Sequence, residues 1–186
     1  MTKFRLVPSS AAPPVPNPPL VRVGLALVIG ATLAFGAMTA SAADCSAPAA
    51  PGIDWQRCYK DERSFSGQTL TAATLREASF ERADLSHADL SKVNGYRAKF
   101  IGAKMVAARL DNGQFSDADF TKADLSAASL KNSDLRRVKF FRTLLRQADL
   151  SGARTAGADF LDADLSGARW TDGKTICAEG SIGQCN

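Results

Sequence analysis

From Leu70 to Trp170 a bulky residue falls on every fifth position, without insertion or deletion, and this register constrains the fold more than any other property of the chain. Of the twenty-one positions ending in 0 or 5, nineteen are Leu, Phe, Met or Trp, and the exceptions are Gly95 and Thr155. Two residues earlier, Ala occupies fifteen of the same twenty-one slots, so a large and a small side chain recur at a fixed offset. A period of five fits neither the 3.6 of a helix nor the 2 of a strand. Short extended segments joined by repeated turns are therefore expected.

A second period fixes how those segments stack. Every fourth centre gives Phe80, Phe100, Phe120, Phe140 and Phe160 in one column, and Leu85, Met105, Leu125, Leu145 and Leu165 in the next. A third column runs Leu70, Leu90, Leu110, Leu130, Leu150 and Trp170. Identity recurs every 20 residues, which makes four pentapeptides one coil. The fourth column, Leu75, Gly95, Phe115, Leu135 and Thr155, is irregular, but its small partners compensate: Val93 accompanies Gly95, and Gly113 accompanies Phe115. Local volume is thereby kept, as a close-packed core requires. Thr155, with Ala153 and Gly157, is the least filled part of that side.

The commonest unit, Ala-Asp-Leu-Ser, as in Ala83-Asp84-Leu85-Ser86 and Ala123-Asp124-Leu125-Ser126, resembles the pentapeptide-repeat family. The resemblance implies an all-β fold, a right-handed quadrilateral parallel β-helix of about five coils of 20 residues over 68–172. Stacked at the usual strand spacing of about 4.8 Å, five coils would stand roughly 24 Å tall.

Residues 1–42 contain no acidic residue, six of the eight prolines, and an apolar run from Val23 to Met38 that ends in Ala40-Ser41-Ala42. This is the pattern of a secretory signal cut after Ala42, or alternatively after Ala43. The apolar run is about sixteen residues, shorter than the roughly twenty that span a bilayer, so no membrane span is expected in the mature form. The proline-rich region before Arg22 suggests a true start near Leu20 or Val21, which would make residues 1–20 a mis-annotated start. Without Lys3, Arg5 and Arg22 the mature chain has 20 basic and 19 acidic residues, so the net charge falls from +4 to +1. That removes the basic surplus a nucleic-acid interface requires.

Cys45, Cys58, Cys177 and Cys185 are the four cysteines, two on each side of the array. An even count in an exported chain points to disulfides. Three connectivities are possible; a tube would hold the two pairs apart by its height, which favours Cys45 with Cys58 and Cys177 with Cys185. The alternative, a metal site, lacks Cys-x-x-Cys spacing, and the single histidine, His87, lies inside the array. Segments 43–67 and 173–186 do not follow the five-residue rule and are expected to cap the two ends, since an open coil exposes both core and unpaired edges.

No catalytic constellation is legible. Ser86, His87 and Asp89 are sequential on a convex surface and do not converge on a cleft, and the glycines follow no phosphate-loop or calcium-repeat spacing. No cofactor or metal site is expected. The residues just before the centres form alternating columns, such as Lys99, Asp119, Lys139 and Asp159, in which all eight vertically adjacent charged pairs are opposite in sign. These are expected to hold register, because a slipped coil would set like charges against each other. Just after the centres, where polar residues prevail, stand Ile101, Val106, Phe141 and Leu161. With the outward Leu144, and Arg142 and Arg146 beside them, they form an expected partner surface. The expected function is that of an exported, non-enzymatic structural or protein-interaction module, periplasmic or secreted, whose partner is an envelope protein or a second copy of the chain as a homodimer. Two alternatives are a nucleic-acid-mimicking topoisomerase regulator, which the leader and near-neutral mature charge disfavour, and an enzyme with an unrecognised site.

Overall fold

The computed structural model describes residues 43–186; the expected leader over residues 1–42 and the alternative start near Leu20 or Val21 lie outside the described residues. From Pro51 to Trp170 every five residues repeat one conformation: a two-residue turn, an inward residue that is usually small, an outward residue that makes a β-bridge, and the inward centre. Each bridge is parallel and joins residue i to i+20, from Asp54 with Thr74 to Asp149 with Arg169. The chain is therefore a β-solenoid with a 20-residue period and four bridges per period. A side is extended only long enough to make a single bridge before the chain turns again.

The repeat satisfies its backbone almost completely, as buried peptide groups require. In the unit around Leu70, the centre N–H donates to the Asp89 carbonyl one coil on (2.8 Å), and the second turn residue, Ala72, donates to Ser91 (2.8 Å). Ala73 N–H closes the turn on the Leu70 carbonyl at 3.0 Å, and Asp89 N–H reaches back to Gln68 at 2.9 Å. That leaves the N–H of the first turn residue. It is bonded by the side chain of the bridge residue: Ser91 N–H donates to Asp89 Oδ1 at 2.9 Å, and the same bond recurs from Ser86 to Asp84 and from Ser126 to Asp124. Aspartate in Ala-Asp-Leu-Ser thus folds an Asx turn.

The second turn residue is left-handed in nearly every unit, including non-glycine residues such as Arg57, His87, Arg97 and Asp162. A Cβ costs energy in that region, and in each of these residues except Asp162 the N–H donated to the next coil offsets it.

Inside, the Phe column stacks from Phe80 to Phe160 with ring centroids 4.8–5.6 Å apart and planes within 18°. The spacing of one ring per coil matches that of stacked strands, and offset stacking of this kind is favourable for aromatic pairs. The Leu and Met centres and their Ala partners are buried with them.

The ladder begins earlier than the sequence pattern indicated. Trp55, Lys60 and Phe65 occupy centres in the same register, and bridges start at Asp54, inside the segment expected to be a non-repeating cap. The pattern is missed there because the small slots hold Ile53, Cys58, Arg63 and Gln68, and one centre is a lysine; the backbone bonding needs none of the usual side chains. At the other end, residues 173–186 turn back on the array. Ile176 and Ile182 pair antiparallel with Arg169 and Asp164, and Cys177 N–H donates to the Ala168 carbonyl. This tail covers the Leu165 and Trp170 sides, whereas Thr155 and Phe160 are only half-buried.

Candidate partner surface and the ends of the solenoid

The structure bonds Cys45 to Cys58 and Cys177 to Cys185, one disulfide at each end. Cys58 and Cys177 are buried against the core, and their partners Cys45 and Cys185 are more accessible. Among the described residues no cluster of His, Cys, Asp and Glu has the arrangement of a metal site, and no helix is long and apolar enough to cross a membrane. His87 is an exposed turn residue.

The N-terminal end holds the residue that the pattern failed to flag. Lys60 stands where a leucine or phenylalanine would, and is only 3 % exposed. Its Nζ donates to the Cys45 carbonyl at 2.7 Å and lies 3.8 Å from the centre of the Trp55 ring. A buried ammonium needs such partners. Burial nevertheless pushes Lys60 below the usual lysine range, and Arg63 adds to the effect.

On the lateral surface, four of the eight expected vertical pairs are ion pairs: Asp119 with Lys139 (3.7 Å), Asp89 with Arg109 (3.9 Å), Asp149 with Arg169 (3.8 Å) and Asp134 with Arg154 (3.2 Å). These aspartates are committed first to their turns, so their second oxygen alone is left for the ladder. A further ladder, unnoticed in the sequence, runs through the second turn residues. Arg57 meets Glu77 at 2.8 Å, Arg137 meets Asp117 at 2.7 Å, Arg142 meets Asp162 at 3.3 Å, and Arg82 pairs with Glu62. A 20-residue offset in the sequence would have shown it. Asp134 is the most strongly held of the bridge aspartates. Arg136 grips it with two N–H bonds at 2.8 and 2.7 Å and, with Arg154, lowers its pKa to about 2.

At two of the serine bridge residues, Ser79 and Ser129, the turn is held from the coil below. Asp61 Oδ1 accepts from Glu81 N–H and from the Ser79 hydroxyl, and Asp111 Oδ1 does the same for Lys131 N–H and the Ser129 hydroxyl.

The residues expected to form a partner surface fall in three columns. Phe141 and Leu161 are vertical neighbours, linked by the bond from Arg142 N–H to the Leu161 carbonyl. Ile101 lies in the same column but is separated from Phe141 by Thr121, as the Gly102–Thr121 and Lys122–Phe141 backbone bonds show. Leu144 sits in the adjoining bridge column between Asp124 and Asp164, and Val106 stands in the turn column of that side. Leu161 and Leu144 are exposed, at 60 % and 36 %, while Ile101, Val106 and Phe141 are half-buried. Arg142 covers the Phe141 ring at 4.9 Å. Arg146 Nε donates to Asp164 Oδ2 at 2.5 Å.

The solenoid thus has a side-chain-filled core, a disulfide at each end and a charged lateral surface. The chain belongs to the pentapeptide-repeat family: the pentapeptide repeat region matches residues 73–150, and the eight-copy pentapeptide repeats match residues 143–169. No curated protein matches the chain. Among solved structures it is similar to HetL, a pentapeptide repeat protein involved in heterocyst differentiation regulation from the cyanobacterium Nostoc sp. strain PCC 7120. That similarity is 28% identity over 66% of this chain and 70% of that one, with a TM-score of 0.32. It is also similar to QnrB1, a plasmid-mediated fluoroquinolone resistance protein (18%, 63% and 65%, TM-score 0.42). A third is Rfr23 from the cyanobacterium Cyanothece 51142 (20%, 57% and 83%, TM-score 0.36).

Proposed function

We propose that the protein is an exported, non-enzymatic interaction module of the cell envelope, periplasmic or secreted, released from a leader spanning residues 1–42. The observation that carries this reading is the use of all four cysteines in two disulfides that staple the ends, because such bonds form and persist in oxidising compartments. The architecture we infer is a right-handed, four-sided β-helix, which the four bridges in each 20-residue period support. Its partner is an envelope protein or a second copy of the chain, engaged through the Phe141–Leu161 column with Ile101, Val106 and Leu144 at its margin and Arg142 and Arg146 as rim contacts. Interfaces of this kind join an aromatic anchor to flanking guanidinium groups.

Fractionation of the producing cell, with thiols alkylated before lysis, tests the reading. The protein should appear outside the cytoplasm, with its amino terminus at Ala43 or Asp44 and no cysteine alkylated until a reductant is added. Recovery from the cytosol with alkylated cysteines would overturn it.

A further inference from the structure

We propose that residues 43–49 form a thiol-gated lid over the N-terminal end of the solenoid, with the Lys60 bond to Cys45 as its second latch. The lid has few attachments. Its own backbone and side-chain bonds are local, from Ala47 N–H to the Asp44 carbonyl and from Ser46 to Asp44 Oδ1. Among the described residues, two links tie it to the array, and both converge on one residue: the Cys45–Cys58 disulfide and the hydrogen bond from Lys60 Nζ to the Cys45 carbonyl. Only small side chains, Ala43 and Ala49, add apolar packing. Behind the lid lie Trp55 and Cys58, which are almost fully buried, and Lys60.

The two latches depend on each other. The disulfide sets the Cys45 carbonyl over the tube, and that carbonyl is the only hydrogen-bond partner of the buried ammonium among the described residues. If the lid leaves, Lys60 keeps only the Trp55 face, so the free energy of a buried charge favours its extension into water. The gating reaction is thiol–disulfide exchange with a dithiol. One thiolate attacks Sγ of Cys45, which lies on the exposed side of the pair, and Cys58 leaves as thiolate. The second thiol of the reductant then displaces Cys45 and becomes its own cyclic disulfide. Two electrons pass to the protein, and the two cysteine thiolates take up the two protons of the dithiol. The array needs no part of this, because its ladder is closed by backbone bonds from Asp54 onward. Opening therefore turns a sealed end into one that presents an indole and a cation.

The test is the rate at which an amine-reactive ester acylates each lysine of the purified protein, read by peptide mass mapping. In the oxidised protein Lys60 should react at least about tenfold more slowly than Lys122, which faces solvent. Dithiothreitol should raise Lys60 to the rate of Lys122. Cys45→Ser should do so without reductant, and the Cys177→Ser, Cys185→Ser double variant should leave Lys60 protected until reductant is added. Protection of Lys60 in both the reduced protein and Cys45→Ser would overturn the proposal, since packing alone would then hold the lid. Loss of amide exchange protection from Leu90 to Leu150 on reduction would overturn it too, because the tube itself would be opening.

Discussion

Gly95 is glycine because Phe115, one coil further on, occupies the space its side chain would need: a Cβ on Gly95 would lie 2.6 Å from Cδ1 and 2.8 Å from Cε1 of that ring. Gly113 meets the opposite edge of the same ring, with a Cβ 2.3 Å from Cε2. The ring cannot retreat, for it stands edge-on to Phe100 and Phe120 at 6.2 and 5.8 Å. Gly95→Ala should therefore destabilise by about 1–3 kcal/mol through overpacking. In a Phe115→Leu background the same substitution should cost almost nothing. Urea unfolding of the four members of this cycle checks it, and equal costs in both backgrounds would mean that the two positions are not coupled.

The turn-capping aspartates make a different prediction. Asp111 caps the turn at Lys131 because Ser129, in the bridge slot, has no carboxylate of its own. Asp111→Ala should cost about 1–2 kcal/mol, the loss of one charge-assisted bond and of the hydroxyl partner. Adding Ser129→Asp to that variant should recover most of it, by supplying the cap from the usual position. No recovery in thermal or urea unfolding would show that Asp111 acts through its charge near Arg109 and not as a cap.

Asp119 separates capping from the charge ladder. It accepts from Thr121 N–H at 2.9 Å and faces Lys139 at 3.7 Å. Asparagine can keep the turn, as Asn94 does for Tyr96 N–H, so Asp119→Asn should cost only the exposed ion pair, about 0–1 kcal/mol. Asp119→Ala should cost about 1 kcal/mol more. Equal effects of the two substitutions, measured by urea unfolding, would make the ladder the dominant role.

How much of this was legible in the sequence follows from which atoms carry each feature. Side-chain volume has a period, so the centres, the 20-residue coil and the exchange of bulk between Gly95, Phe115 and Gly113 could be read directly. Hydrogen-bond direction has none. The carboxylate of Asp89 looks like one rung of a charge ladder until Ser91 N–H is seen to donate to it. Lys60 was invisible for the opposite reason: a centre is recognised by being apolar, and here an ammonium is tolerated because Trp55 and the Cys45 carbonyl receive it. The proposed partner surface follows from no rule of the repeat, since outward slots are free to carry any residue that the solvent or a partner selects.

Acid should weaken the lateral surface most at Asp134 among the bridge aspartates, and complete that loss at the lowest pH. Its folded pKa, lowered from 3.8 to about 2 by Arg136 and Arg154, means that its stabilisation is complete above the unfolded value and is lost as pH falls from about 4 through 2. The arginines are well exposed, which discounts the effect to the order of 1–2 kcal/mol. Asp134→Asn should therefore unfold more easily than the parent at pH 6 and converge with it near pH 2. A carboxyl resonance of Asp134 titrating near 4 would contradict this.

The partner surface can be tested without disturbing the core, because its side chains point away from it. Leu161 is 60 % exposed and Phe141 is half-buried beneath Arg142, so Phe141→Ser, Leu161→Ser should lower stability by no more than about 1 kcal/mol. The Phe140 and Phe160 rings that stack inside the tube are untouched by it. If this column docks a second copy, sedimentation should show the parent as a larger species and the variant as a monomer. If it docks an envelope protein, a partner retained by the parent from an envelope extract should be lost by the variant. Arg142→Ala should give a smaller loss than the double variant: it removes a rim contact, but the guanidinium also covers Phe141 and pairs with Asp162, so its removal uncovers the ring and offsets part of that loss. Unchanged mass together with unchanged partners in the double variant would exclude this column as the interaction site and move the search to the ends of the solenoid.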